Sequence, residues 1–211
     1  MADSNYIAIE GVVGAGKTTL AKLIGKRLDA MLILEEAESN PFLPDFYRDP
    51  RRYAFQTQMF FLLSRYKQQE ELPHPDLFHR WLVADYIFAK DRIFAAINLD
   101  EREMALYDRV SEALQQYIRP PDLVIYLQSS IRRLINNIRI RNRSYERDMP
   151  EEYIRLLSEN YNRYFLNYMQ TPLIIVNADN SDFLNKPEQV DRLIDMIKAG
   201  ISGMQYYNPA D

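Results

Sequence analysis

Between Ile9 and Leu20 the chain reads IEGVVGAGKTTL, which places three of its six glycines within six residues and follows them at once with Lys17, Thr18 and Thr19. No other stretch limits the fold so tightly. Gly11, four further residues, then Gly16, Lys17 and Thr18 match the phosphate-binding loop pattern. In that pattern Gly11, Gly14, Ala15 and Gly16 let successive backbone N–H groups curl around phosphate oxygens. Lys17 is then placed to reach the terminal phosphates and the Thr18 hydroxyl to meet Mg²⁺. The helix opened by Thr18 and Thr19 aims its partial positive end at the anion. YIAIE, Tyr6 to Glu10, predicts a buried strand and TTLAKLIGKRL predicts a helix, so strand, loop and helix come in the required order. The fixed positions arise by chance in roughly one chain in a hundred of this length. A nucleoside triphosphate is the expected ligand.

Strand signals recur down the chain. AMLILEE (Ala30 to Glu36) predicts a second strand, RWLVAD a third ending at Asp85, PPDLVIYLQ a fourth and TPLIIVNA a fifth. Pro41, Pro44 and Pro50 exclude a long helix until the last of them. YAFQTQMFFLLSRYKQQEE, Tyr53 to Glu71, predicts one long helix, broken by LPHP. Strands alternating with helices imply a parallel sheet covered on both faces. The 211 residues, 47% of them hydrophobic, fit one α/β domain over 1–205, with 206–211 a frayed tail. A net charge of −4 argues against general affinity for nucleic acid or membrane, and no apolar run approaches the roughly 18 residues a membrane helix needs. The chain has no cysteine, which agrees with a reducing compartment, and shows no signal region, so a cytoplasmic location is expected.

Ligands of such sheets sit beyond the carboxyl ends of the strands. Glu35 and Glu36 end the second strand, Asp85 ends the third, and the phosphate loop follows the first. Asp85 resembles the second acidic motif of phosphate-loop enzymes, whose carboxylate holds Mg²⁺ directly or through water; a helix-capping aspartate is the equal alternative. His74 and His79 flank a Pro-containing loop and carry no partner pattern.

At this point the chain resembles the deoxynucleoside kinase family over roughly Ile7 to Val176. GVVGAGKTT resembles the family's phosphate loop. EEAESNP resembles the Glu-Pro-Val-Glu-Glu-Asn-Pro of bacterial members and puts Glu35 on the catalytic base, with Glu36 the fallback. Tyr47 in FYRDP matches a tyrosine that touches the sugar 3′-hydroxyl. Gln58 and Arg65 in QMFFLLSR match the glutamine and arginine that contact the base. Asp91 matches that arginine's partner and Phe94 an aromatic flanking the base. RIRNRSYERDMPEEY resembles the arginine-rich lid, near 139–149, with Arg141 and Arg143 on the phosphates and Glu146 on the 3′-hydroxyl. One departure stands out: where the family has Glu-Arg-Ser or Asp-Arg-Thr, this chain has Asp85-Tyr86-Ile87. Lys90, four residues on and on the same helical face as Tyr86, is the candidate to restore the missing charge.

The resemblance implies a three-layer P-loop kinase fold with a five-stranded parallel sheet, a cytoplasmic homodimer, and ATP and Mg²⁺ as phosphate donor and metal. It implies transfer of phosphate from ATP to the 5′-hydroxyl of a deoxynucleoside in nucleotide salvage. Glu35 accepts the proton, and Lys17, Arg141 and Arg143 offset charge. Because thymidine-preferring members lack the Arg65 and Asp91 pair, purines are favoured, with deoxycytidine next. A thymidylate-like monophosphate kinase shares fold and lid but needs a further cation for the acceptor's phosphate. A regulatory NTPase or an RNA-binding protein using the basic lid are further alternatives. The first lacks the Asn-Lys-x-Asp motif that reads guanine, and the acidic charge opposes the second.

Overall fold

A computed structural model describes residues 5–71, 80–147 and 149–209; His74 and His79 lie outside them. Among the described residues six strands form one sheet: β1 (Asn5–Gly11), β2 (Met31–Ile33), β3 (Trp81–Ala84), β4 (Leu123–Gln128), β5 (Leu173–Asn177) and β6 (Met204–Tyr207). Their order is β2-β3-β1-β4-β5-β6 and every pairing is parallel. Parallel neighbours need crossover connections, and helices supply them. These are α1 (Lys17–Leu28), α2 (Leu43–Arg48), α3 (Pro50–Glu70), α4 (Lys90–Asn98), α5 (Glu101–Gln115), α6 (Ile131–Arg141), α7 (Glu151–Leu166) and α8 (Pro187–Ala199). The interior of β1 and β4 is almost wholly buried, and Ile7, Ile9, Val124 and Ile125 anchor a core that α1, α7 and α8 close. With both faces covered, these strands read as continuous apolar runs rather than alternating ones.

The expected five strands become six. MQYY, Met204–Tyr207, pairs with β5, so Tyr206 and Tyr207 belong to the sheet rather than to a frayed tail. Tyr207 is buried and its hydroxyl donates to the Gln189 carbonyl at 2.7 Å. A four-residue strand carries too little periodicity to reveal this; its pairing comes from tertiary contacts.

Two local departures shape the site. β2 stops at Ile33, short of the predicted Glu36, because the Glu35 amide leaves the ladder and donates to Asp85 Oδ1 at 2.7 Å. The long helix α3 begins at Pro50, not Tyr53: proline fits the first turn, and the Asp49 carboxylate accepts from the Arg52 amide. Asn40 seats the loop after β2 against α3, donating to the Thr57 carbonyl at 3.1 Å and accepting from the Phe42 amide at 3.0 Å.

Candidate active site

The phosphate loop runs from β1 into α1. Gly14 and Gly16 both adopt left-handed backbone, at φ 87° and 98°. A side chain at Gly14 would also meet the Leu134 carbonyl oxygen at 2.8 Å, so glycine there lets the loop lie directly on α6. Gly16 caps α1 without any side-chain hydrogen bond, which leaves the helix's first amides free for an anion. Lys17 Nζ donates to the carbonyls of Gly11 at 2.8 Å and Val12 at 3.3 Å. Burial, reinforced by the charge of Lys90, lowers the Lys17 ammonium to a pKa of about 8 against the opposing pull of Glu10, Glu35 and Asp85.

Glu35 enters a cavity beside the phosphate loop that Lys17 also lines, whereas Glu36 is exposed beside a 3₁₀ turn at Ala37–Ser39. One Glu35 carboxylate oxygen accepts from Arg65 and the other from Lys90 Nζ at 2.8 Å. Burial by itself would raise the Glu35 carboxyl; Lys90, then Arg65 and Lys17, outweigh it and hold the group well below the usual carboxylate range. Lys90 is only 4% exposed, so its charge acts in a poorly screened interior. Tyr86 is fully buried and does not line the cavity. Its hydroxyl donates to Gln68 at 2.9 Å and its ring lies 5.7 Å from the Arg65 guanidinium, whose other neighbour is Phe61 at 4.8 Å. The tyrosine therefore supports Arg65, and Lys90 joins Arg65 as the second cation beside Glu35.

The lid closes the cavity's outer side. Arg141 reaches Glu146 from Nε at 3.1 Å and from its terminal nitrogen at 2.6 Å and 2.5 Å. Arg143 pairs with Glu38 at 3.0 Å, a partner that sequence reasoning missed. Tyr47 stacks on Tyr145 with ring centroids 5.8 Å apart, and its phenol is pushed well above its usual range by burial and the nearby Tyr153 and Glu146. At the inner end lie Gln58, Arg65, Asp91 and Phe94. Arg65 contacts Asp91 Oδ1 as an ion pair, while among the described residues Gln58 Oε1, Arg65 Nε and Asp91 Oδ2 are buried without a hydrogen-bond partner. Buried polar atoms are normally satisfied, so this end is shaped for a ligand with both donors and acceptors.

Lys17, Glu35, Tyr47, Gln58, Arg65, Lys90, Asp91, Phe94, Arg141, Arg143 and Glu146 thus share one cavity. Thr18 and Asp85 sit at its phosphate-loop side, joined by a hydrogen bond. Asp85 does not cap a helix, since α4 starts five residues later without a side-chain cap. Among the described residues no group of three or more His, Cys, Asp or Glu could hold a metal. The Thr18 hydroxyl and Asp85 carboxylate are instead a sparse hard-oxygen pair, which fits Mg²⁺ retained mainly by water and substrate phosphate. The apolar wall of Leu43, Phe46 and Phe61 was not singled out from sequence. Phe61 falls three residues after Gln58 and four before Arg65, helical spacing that puts all three on one face of α3.

A family model described as deoxynucleoside kinase matches residues 7–202. The chain is 35% identical over 209 residues to a deoxyadenosine kinase of Dictyostelium discoideum, covering 98% of this chain and 83% of that protein. It is 31% identical over 198 residues to a deoxyguanosine kinase of Bacillus subtilis, covering 92% and 96%. A solved structure of deoxyadenosine kinase from M. mycoides with bound dATP superposes with a TM-score of 0.81 at 27% identity, covering 92% of this chain and 99% of that one.

Proposed function

The chain belongs to the deoxynucleoside kinase family and is a phosphotransferase that phosphorylates deoxynucleosides, and from that premise we propose that it transfers the γ-phosphoryl of ATP to the 5′-hydroxyl of a purine deoxynucleoside. The observation that carries the base preference is the set of unpartnered buried atoms on Gln58, Arg65 and Asp91. Adenine and guanine, like cytosine, each present an amino donor beside a ring nitrogen, which suits the Gln58 carbonyl oxygen and the Arg65 and Asp91 groups; the choice of purines over cytosine follows the deoxyadenosine and deoxyguanosine kinases to which the chain is similar. Thymine presents two carbonyls about one imide N–H and leaves the carboxylate facing an acceptor. Phe61 and Phe94 flank the ring, and Tyr47 and Glu146 hold the sugar 3′-hydroxyl in a pocket too crowded for a ribose 2′-hydroxyl.

Phosphoryl transfer is mostly positioning and charge neutralisation. Glu35 accepts the 5′-hydroxyl proton, Lys90 and Arg65 orient its two oxygens, and Lys17 lies against the transferring phosphate. Arg141 and Arg143, parked on Glu146 and Glu38, exchange those carboxylates for phosphate oxygens as the lid closes and excludes water. Mg²⁺, held through Thr18 with Asp85 behind it, would neutralise charge on the donor phosphates. The chain works as one domain, as a homodimer in the cytoplasm, and in salvage of deoxynucleosides; among the described residues no helix is long and apolar enough to cross a membrane.

A screen of the four deoxynucleosides, the ribonucleosides and the deoxynucleoside monophosphates with radiolabelled ATP tests this. Deoxyadenosine or deoxyguanosine should be the best acceptor by kcat/KM. Faster transfer to thymidine would overturn the base assignment, and faster transfer to a monophosphate would overturn the acceptor class.

A further inference from the structure

β1 is apolar and buried from Tyr6 to Ile9, and then a carboxylate interrupts it: Glu10 is 0% exposed. An aliphatic side chain would occupy this strand position at lower cost, because a buried carboxylate loses several kcal/mol of hydration unless donors replace the water. Three donors do so here, each from a different part of the molecule. Glu10 Oε1 accepts from the Gly11 amide at 2.8 Å and from the Tyr161 hydroxyl of α7 at 3.4 Å; Oε2 accepts from the Ile87 amide at 3.1 Å.

The two amides belong to the residues that anchor the two lysines whose charges act on Glu35. The Gly11 carbonyl receives Lys17 Nζ at 2.8 Å, and the Ile87 carbonyl receives the Lys90 amide at 3.1 Å, where α4 begins. One side chain therefore spans the donor half of the site, the phosphate loop, and the acceptor half, the turn that runs from Asp85 to Lys90. We infer that Glu10 is a positioning residue that fixes the phosphate loop against this turn and so sets the gap across which the phosphoryl group moves. The inference rests on the reading of the cavity as a deoxynucleoside kinase site. Glu10 itself does not line that cavity and acts only through Lys17 and Lys90.

Glu10→Gln keeps the shape but can satisfy only one of the two amides, since its NH₂ must then face the other N–H. Each substrate still finds its own half of the site, and only the alignment between halves is lost. The expected result is a kcat lowered about 10- to 100-fold per folded molecule. The dissociation constants of ATP and of deoxyadenosine, each titrated alone by calorimetry, should stay within about threefold, a split that simple destabilisation would not produce. A folded Glu10→Gln enzyme with kcat within about threefold of wild type overturns the inference, as does a kcat loss matched by equal losses in both affinities. A second measurement needs neither variant nor substrate. In labelled wild-type protein, NMR should detect hydrogen-bond scalar coupling from the Gly11 and Ile87 amide nitrogens to the Glu10 carboxyl carbon, and absence of either coupling overturns the tie. A wild-type protein inactive on every deoxynucleoside but showing both couplings would sink the kinase reading and leave the brace standing.

Discussion

Lys90→Ala removes one of the two cations that the structure sets against Glu35. The Nζ to Oε2 separation of 2.8 Å corresponds to about 6 kcal/mol of gross Coulomb attraction at an effective dielectric near 20. Desolvation of the buried ammonium offsets much of that, and Glu35 keeps Arg65, so a net loss of about 2 kcal/mol of stability is expected. For a chain of this length that lowers Tm by roughly 4–8 °C. The catalytic loss should be larger. With Lys90 gone, the 5′-hydroxyl and the incoming phosphate meet one fewer fixed positive charge in a closed site, comparable to deleting one oxyanion-hole donor, or about 10²-fold in kcat. Steady-state rates with deoxyadenosine at saturating ATP, alongside thermal melts, separate the two effects. Lys90→Arg should recover part of the rate, limited by its broader planar head. Turnover of Lys90→Ala within about threefold of wild type, in a protein whose Tm has fallen as expected, would show that Lys90 only supports the fold and would refute this reasoning.

Lys17, with its pKa lowered to about 8, is mostly neutral in the free protein at about pH 9 and should recharge against phosphate. ATP binding at that pH is therefore expected to take up close to one proton, read by calorimetry in buffers of different ionisation enthalpy; zero uptake contradicts the assignment. The same shift disfavours the charged form on folding, so Lys17 should make stability rise with pH between about 8 and 10.5. Glu35→Gln should lower turnover about 10²-fold while Glu36→Gln changes it less than twofold, and the reverse ranking would move the base to Glu36. Because Glu35 is held below the ordinary carboxylate range, its contribution to stability is present above the unfolded value of 4.5 and lost only as pH falls through its lower folded value. At saturating ATP, kcat/KM for the deoxynucleoside should then show no acid limb between about pH 5 and 7, and an apparent pKa of about 6 there would contradict the assignment. Finally, α3 exposes Leu63 at 49%, α5 exposes Leu106 at 51% and the turn after α5 exposes Tyr117 at 70%, so light scattering should give twice the 25.0 kDa of one chain, and a single-chain mass would remove the dimer.

Much of the site was legible because its chemistry depends on rigid spacing. The glycine pattern reads directly as backbone geometry, and residues seven apart on one helix, Gln58 and Arg65, must face the same cavity. Side chains whose role comes from tertiary contact were not legible. Phe61 sits in an apolar run with Leu62 that carries no pattern to separate cavity wall from core; the fold buries Leu62 and gives Phe61 to the cavity. Glu38 and Glu10 were equally silent: a carboxylate's value lies in which donors the chain brings to it, and those lie 105 residues away for Glu38 and 77 and 151 for Glu10. β6 failed for the same reason, since four residues acquire strand character only by pairing with β5.

The charges around Glu35 bear on how a carboxylate this weakly basic can serve as a base. Lys90 and Arg65 each occupy one of its oxygens and keep it ionised, so it has little power to deprotonate a free alcohol beforehand. A loose transition state makes no such demand. The attacking oxygen has formed little bond to phosphorus and holds its proton until late; its acidity rises steeply only as that bond forms, when even a weak base suffices. What the site must supply earlier is orientation, a carboxylate already ionised, fixed and able to accept the hydroxyl's hydrogen bond. Lys90 and Arg65 provide this by pinning both oxygens while leaving each a free lone pair. Lys90 then stands beside the phosphoryl group as charge builds on it. On this account the low proton affinity of Glu35 and the stabilisation of the transferring phosphate have one origin, and no substitution at Lys90 can relieve the first without weakening the second.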